Sequence, residues 1–421
     1  MRQLQVTAPE WREPATGGER IDLRVNVVTP LFGGGFEARE VDLECVIRPA
    51  AIRGQLRFWW RATVGVQYSS PDALFEAESA LWGSASQVGQ VAVVVVVTKP
   101  GQARQCARYE RRPDGTLKSL PAFERGWPAY ALQAFQGEVD KRDRARVAVE
   151  PSAARIGAKF DLTVEVRTSA KTEEVRGTIA AWIRYGGLGA RTRRGCGSLA
   201  SDWMPEPYLR APLGKAAQDL THLRGALAVW GDLIDDPCAA WSKAVSVYRD
   251  FRQREGLARN HGAEHNRPGR SRWPEPDSIR RLSDTHAPGH PPAHVVGRGF
   301  PRADLGLPII FHFKDRGDPE DATLHGPEEG LDRFASPVIT KAVAENGRYR
   351  PLVLVLAAPP VSRHGDLRLD IGSRKISIGK RYVELSSAER ASVGPLEGQA
   401  TREALIRFVE REWKTTSEVL Q

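Results

Sequence analysis

The chain has 421 residues, 41% of them hydrophobic, which is ample for a buried core and too long for one ordinary domain. Lys and Arg number 61 against 52 for Asp and Glu, so the formal net charge of +9 favours a polyanionic partner, either nucleic acid or an anionic membrane surface. The longest apolar run, residues 91–97, is too short to span a bilayer, and residues 1–10 lack the apolar segment of a signal peptide. Four scattered cysteines without a C-x-x-C pair predict neither a zinc site nor a disulfide framework. We therefore expect a cytoplasmic protein.

The first half of the chain predicts a β-α-β-β-α-β order. Its elements are a strand (21–29), a helix (52 to about 65), a strand (91–98), a polar insertion (102–149), an alternating strand (160–168), a helix that ends at Gly186-Gly187, and a last strand (196–203). Ser169 or Thr172 can cap the second helix. This order is that of the ferredoxin-like fold, which RRM domains share.

The second half follows a linker at 205–212. Its predicted elements are helices (216–233, 241–254 and 402–413), a polar stretch rich in Arg, His and Pro (255–299), and strands (307–313, 338–345, 349–357 and 375–378). The predicted fold class is α+β, with two ferredoxin-like (RRM-like) domains with insertions. The predicted domain ranges are 1–205 and 213–421.

One group of candidate anion-binding residues lies on the first predicted helix. It comprises Arg48, Arg53, Gln55, Arg57 and Arg61. Arg53, Arg57 and Arg61 are spaced i, i+4, i+8, so like charges stack along one face and repel by roughly 0.2–0.5 kcal/mol per pair. An external anion could compensate them, or a carboxylate elsewhere in the fold. The alternatives are a solvated face and salt bridges in the core.

A second group lies in the loop between the second helix and the last strand, GGLGARTRRGCGS. It comprises Gly187, Gly189, Arg191, Arg193 and Arg194. Glycines let a backbone come close to phosphates, and arginines neutralise the phosphate charge. The loop follows a helix and has no G-K-[ST], so it is neither a Rossmann nor a Walker A loop. The alternative is an ordinary glycine-rich turn. We also expect both groups of arginines to face one groove.

Histidine spacing suggests a metal site at first sight, at His261-x-x-x-His265 and at His286, His290 and His294. Prolines in the second set prevent the helix that would align ligands at i, i+4. We therefore interpret this stretch as a polar loop and predict no metal, no cofactor and no catalytic residue.

The two arginine- and glycine-containing motifs, in this order and topology, resemble the RAMP superfamily of type III CRISPR systems. The segments IRPAAIRGQLRFWWR, GGLGARTRRGCGSL, SRWPEPDSIRRL and RFASPVITKA are similar in particular to the RAMP subunit numbered first in type III-B (Cmr) complexes. The resemblance covers about residues 21–358. It implies two ferredoxin-like domains, a place at the end of the complex near the 3′ part of the guide, and target-RNA capture. It also implies that the two groups of candidate residues are RNA-binding and contact guide or target RNA. Cleavage of the target would belong to another subunit.

The leading hypothesis is therefore a non-catalytic subunit whose partners are guide RNA, target RNA and other RAMP subunits, with no membrane contact. The runner-up is a metal-independent RAMP endoribonuclease that processes guide RNA, for which Tyr185 and His222 are the nearest candidate residues to the loop. A third hypothesis, a metabolic enzyme with a phosphate loop, is disfavoured because no strand-loop-helix phosphate motif is present.

Overall fold

The computed structural model describes residues 18–35, 40–42, 44–121, 126–204, 213, 225–261, 270–327 and 331–420. The helices are α1 (Pro49–Thr63), α2 (Pro71–Trp82), α3 (Ala129–Leu132), α4 (Thr172–Tyr185), α5 (Pro237–Gln253), α6 (Glu275–Ser283), α7 (Lys380–Val383), α8 (Ser387–Ala391) and α9 (Thr401–Trp413). The strands of the first half are β1 (Glu19–Val27), β2 (Leu31–Phe32), β3 (Val91–Lys99), β4 (Gln102–Gln105), β5 (Ala107–Arg111), β6 (Leu117–Pro121), β7 (Glu138–Val139), β8 (Val147–Val149), β9 (Ala153–Ile156), β10 (Lys159–Val166) and β11 (Leu199–Ala200). Those of the second half are β12 (Ala226–Trp230), β13 (Ile309–Phe311), β14 (Ala322–His325), β15 (Val338–Glu345), β16 (Arg348–Val355), β17 (Leu367–Ile371), β18 (Arg374–Ile378) and β19 (Glu418–Leu420).

The first sheet has the strand order β11-β1-β10-β3, with every neighbouring pair antiparallel. Taken with α1 after β1 and α4 after β10, this is the split β-α-β arrangement of a ferredoxin-like fold. Alternate residues of β1 and β10 are buried against α1 and α4, and the intervening residues face solvent. The stripe of α1 that faces the sheet contains Ile52, Leu56, Trp59 and Trp60, so both tryptophans belong to the core.

The second sheet has the order β15-β16-β12-β19, again entirely antiparallel. With α5 after β12 and α9 before β19, it repeats the arrangement of the first sheet. A third sheet, β13-β14-β17-β18, is built from segments inserted before β15 and after β16. The predicted α+β class is thus confirmed, with two sheets of ferredoxin-like order. The domain boundaries stay a prediction.

The two ferredoxin-like sheets stack in layers. One apolar cluster joins α1 and α4 to one face of the second sheet, through Trp182 and Ile183 on α4 and Ile339, Leu352 and Leu354 on the sheet. A second cluster packs the opposite face of that sheet against α5 and α9. The order is therefore sheet, helices, sheet, helices. This stacking brings the loop after α4 against the start of β15.

Several predicted elements differ from the structure. The range 216–233 was expected to be helical, but its described part contains β12. The strand expected at 196–203 is confined to β11. Neither Ser169 nor Thr172 caps α4, whose N-cap is Lys171 without a side-chain hydrogen bond. The linker at 205–212 lies outside the described residues. Among the helices that the structure describes, none combines the length and the apolar character needed to cross a membrane.

Candidate nucleic-acid interface

The arginines of α1 are held by α2. Glu78 of α2 has only 1% of its side chain exposed and lies between Arg57 and Arg61. Its Oε1 accepts from Arg57 Nε at 2.6 Å, and its Oε2 accepts from Arg61 Nε at 2.8 Å. The sequence analysis left open whether a ligand or the protein neutralises these arginines. The structure shows that a carboxylate of the protein, Glu78, neutralises two of them.

Arg53 and Arg57 also form hydrogen bonds to backbone carbonyls at the C-terminal end of α2. Arg53 donates through Nε to the carbonyl of Trp82 at 3.0 Å, and Arg57 donates through Nη1 to the carbonyl of Gly83 at 3.2 Å. Cationic side chains stabilise a helix C-terminus because they satisfy its free carbonyls and oppose its dipole. Burial, and then the neighbouring Arg57, lower the pKa of Arg53. The stack of three arginines is thus integrated into the fold.

Arg48 and Gln55 complete the set expected on α1. Arg48, just before the helix, donates through Nη2 to Asp42 Oδ2 at 2.7 Å. This guanidinium, with the backbone amides of Cys45 and Glu44, holds the pKa of the Asp42 carboxyl below its usual range. Gln55 is half-buried on α1. Arg48 and Gln55 remain predictions as RNA contacts.

The glycines of the loop after α4 are packed against the protein's own backbone. A Cβ on Gly189, which has φ +81°, would lie 2.3 Å from the carbonyl oxygen of Phe32. A Cβ on Gly187 would lie 2.9 Å from the carbonyl oxygen of Gly197. The close approach that requires glycine at these two positions is therefore made by protein. The arginines, not the glycines, carry the loop's capacity to bind an anion.

The three loop arginines lie over aromatic rings. Arg191, in the left-handed region at φ 57°, has its guanidinium 5.8 Å from the ring centre of Phe135. Arg193 lies 5.2 Å from the ring centre of Phe58 and donates to the carbonyl of Ser336. Burial, and then the adjacent Arg194, lower the pKa of Arg193 to about 10. This position is costly for a cation without a counter-charge.

Arg194 meets a fourth arginine, Arg252 of α5, at the hydroxyl of Tyr248. Arg194 donates to this hydroxyl at 3.4 Å and Arg252 at 3.5 Å, and Arg194 also donates to the carbonyl of Val338 at 2.9 Å. Burial alone would raise the pKa of Tyr248, but the two guanidinium groups outweigh it and lower that pKa. The sequence analysis missed Arg252 because no local pattern connects it with a loop about sixty residues earlier.

Arg191, Arg194 and Arg252 border an open groove of about 600 Å³ between the two halves of the chain, whereas Arg193 is not among its lining residues. Its polar and aromatic lining residues are Tyr130, Gln133, Arg191, Arg194, Gln253, Arg252, His312, Phe334 and Ser336. Apolar residues of the segment 305–310 complete it, and none of the described residues that line it is acidic. The groove does not include Arg53, Arg57 or Arg61, whose partners lie on and just after α2. Among the described residues, this groove therefore does not bring the two arginine groups together, and a shared binding surface stays a prediction.

A buried lysine fixes the start of the loop. Lys341 on β15 donates through Nζ to the carbonyls of Ile183 and Gly186, at 3.2 and 2.7 Å. It joins the end of α4 to the second sheet. Burial, and then the nearby Arg184, lower its pKa to about 7.

This pKa predicts how stability depends on pH. An unfolded lysine keeps its proton to about pH 10, whereas the folded Lys341 begins to lose it near neutrality. The unfolded state therefore binds more protons, and the free energy of unfolding should rise with pH between roughly 7 and 8.5, by up to about 1.4 kcal/mol per pH unit. Denaturant titrations across this range should show the rise in the wild type and a flatter profile in Lys341→Met. Parallel profiles for the two proteins would contradict the assignment.

Among the described residues, one group that includes a histidine of this stretch has the spacing of metal ligands. His290, Asp315 and Asp318 bring ligand atoms within 4.8 Å of one another. However, Asp318 already accepts from Arg280 at 2.8 Å and from the backbone amide of Ala287 at 3.1 Å. His265 and His222 lie outside the described residues. Tyr185, a candidate for the runner-up nuclease, is fully buried, which raises the pKa of its hydroxyl and removes it from any surface substrate.

Comparison with known proteins finds a family match in the first half of the chain. Residues 24–200 match the family model of the RAMP superfamily. This part of the chain is similar to RAMP domains. The curated protein "CRISPR system Cmr subunit Cmr1-2" of Pyrococcus furiosus is 27% identical over 194 residues, which are 44% of this chain and 96% of that relative. The resemblance to a Cmr RAMP subunit is thus confirmed.

Solved structures give more remote likenesses. The crystal structure of apo Cmr1 from Pyrococcus furiosus is similar with a TM-score of 0.42 and 15% identity, covering 81% of this chain and 88% of that one. A chain of the type III-B Cmr-beta complex bound to cognate target RNA has a TM-score of 0.40 and 11% identity, covering 92% and 99%. The resemblance to the RAMP superfamily rests on the family model and the curated relative.

Proposed function

We propose that this chain is a non-catalytic RNA-binding subunit of a type III-B CRISPR effector complex, contributing to the binding of guide and target RNA in antiviral defence. Its partners would be those two RNAs and other RAMP subunits. The observation that carries the proposal is the groove beside the loop after α4, where Arg191, Arg194 and Arg252 lie with no acidic residue among the described residues of the lining. A phosphodiester chain would supply the missing negative charge.

The rest of the groove suits single-stranded RNA. Tyr130 and Phe334 line it beside the arginines. Unstacked bases bind such aromatic faces, and arginines neutralise the phosphates between them. In an RRM the bases instead stack on the open face of the sheet. Here that face of the first sheet carries Asp22, Asp161 and Glu165 beside Arg20 and Arg24, so carboxylates balance its basic charge and it does not favour an RNA platform.

Salt dependence tests the proposal. The logarithm of affinity for single-stranded RNA should fall linearly with the logarithm of salt concentration, by about 0.7 for each phosphate neutralised. Fluorescence anisotropy with a labelled oligonucleotide between roughly 50 and 200 mM salt measures this slope. Affinity that is indifferent to salt would contradict phosphate-led binding.

The runner-up, a metal-independent RAMP endoribonuclease, has one observation in its favour. His312 lines the groove, and its Nδ1 lies 2.8 Å from Asp321 Oδ2, which orients the ring as in a general acid–base pair. We nevertheless predict that the purified chain does not cleave repeat or target RNA, with or without divalent metal. Gel analysis of end-labelled RNA measures this. Cleavage that His312→Ala abolishes would establish the runner-up instead.

A further inference from the structure

The edge strand β3 is exposed and apolar. Its sequence is VAVVVVVTK, and within the described residues its only strand partner is β10. Val94, Val96 and Val97 have 48, 58 and 37% of their surface exposed. A long, flat, hydrophobic edge is a template for another strand, and proteins normally block such edges with lysine, proline or a bulge. Here the first lysine is the last residue of the strand.

The unpaired backbone groups of this edge determine the kind of occupant. Backbone N–H and C=O groups along an edge are satisfied by another extended strand, and the valines of β3 pack well against apolar, β-branched neighbours. β3 itself meets both requirements. If two copies pair antiparallel about Val94, the opposite positions are Val94 with Val94, Val93 with Val95, Ala92 with Val96, and Val91 with Val97.

We propose that β3 pairs antiparallel with β3 of a second copy of this chain, joining the two first sheets into one continuous sheet of eight strands. The pairing keeps each side chain on its own face, because strand periodicity is two. It covers the exposed valines with valine or alanine from the partner copy. β3 contributes none of the described residues that line the groove, so this interface is distinct from the proposed RNA-binding site.

Val96→Lys tests the pairing of β3 between two copies and should have little effect on the stability of the single copy. Val96 stands opposite Asp161 of β10 in the register, so a lysine there gains a favourable cross-strand neighbour within one copy. In the pair of copies the same lysine would face the apolar edge of the partner. Val295→Lys is the matched control, because Val295 is 78% exposed and lies outside any strand.

Sedimentation velocity over a range of concentrations should show a dimer for the wild type and for Val295→Lys, weakened by about tenfold or more in Val96→Lys. Val94→Cys should also form an oxidised dimer, because opposite Cα atoms in an antiparallel pair lie about 4.5–5.5 Å apart, within disulfide range. The wild type under the same oxidant is the control, since both proteins carry the exposed Cys45. A wild type that stays monomeric, a dimer that survives Val96→Lys, or the absence of the Val94→Cys cross-link would overturn the proposal.

Discussion

Replacing Arg57 and Arg61 together by alanine should lower the free energy of unfolding by about 3–5 kcal/mol, because the buried carboxylate of Glu78 would lose its counter-charges. Surface ion pairs contribute about 0–1 kcal/mol. The difference here is that Glu78 is 1% exposed, so water cannot replace the two guanidinium groups. Denaturant titration at neutral pH measures the loss.

Two further variants isolate the cause. Adding Glu78→Gln to the double variant should restore part of the lost stability, since the stranded charge is gone. Arg20→Ala is the matched control, because Arg20 forms an ion pair with Asp22 in which both side chains are more than half exposed. It should leave the free energy of unfolding nearly unchanged, because water replaces the partner of an exposed ion pair. Unchanged stability in the Arg57/Arg61 double variant would show that these arginines are a solvated face instead.

Replacing Arg191 or Arg194 by alanine should weaken binding of single-stranded RNA by roughly 10- to 100-fold, the value of one charge-assisted hydrogen bond. Both side chains line the groove. If they bind the same stretch of RNA, the double variant should lose less than the product of the two single losses, because groups that share a ligand are coupled. Anisotropy titrations at one fixed salt concentration measure all three variants.

Thermal melts must accompany these titrations. Arg191 is exposed, so Arg191→Ala should leave the melting temperature nearly unchanged. Arg194 also bonds to Val338 and Tyr248, so part of its effect can come from stability. Arg24→Ala, an exposed position on the outer face of the first sheet, is the binding control. Equal affinity for wild type, Arg191→Ala and Arg194→Ala would contradict the groove as the binding site.

The first half of the fold could be predicted from the sequence because its signals are local. Alternating apolar residues mark β1 and β10, and the apolar stripe of α1 follows helical spacing. β12 could not be predicted in this way. The short apolar segment ALAVW is compatible with both helical and strand periodicity. It forms a strand because it pairs with β16, which lies more than a hundred residues later in the chain.

For the candidate site too, the sequence predicts local features but not the contacts between distant residues. The loop arginines were predicted from composition, and the structure places Arg191 and Arg194 in a groove. The opposite behaviour of Arg57 and Arg61 depends on Glu78, which sits on a helix that the sequence analysis did not predict. Arg252 reaches the loop only because the second sheet stacks on α4. Charge patterns alone therefore do not distinguish an arginine held by the fold from one that faces a ligand.

Photo-cross-linking tests the central proposal most directly. Single-stranded RNA carrying a photoreactive uridine should cross-link to peptides that contain Tyr130 and Phe334, the aromatic residues of the groove. The adducts should be lost when Arg191 and Arg194 are both replaced by alanine. Trp203, beside the outer face of the first sheet, is the competing position. Adducts mapped by mass spectrometry to Trp203, with none at Tyr130 or Phe334, would contradict RNA binding in the groove.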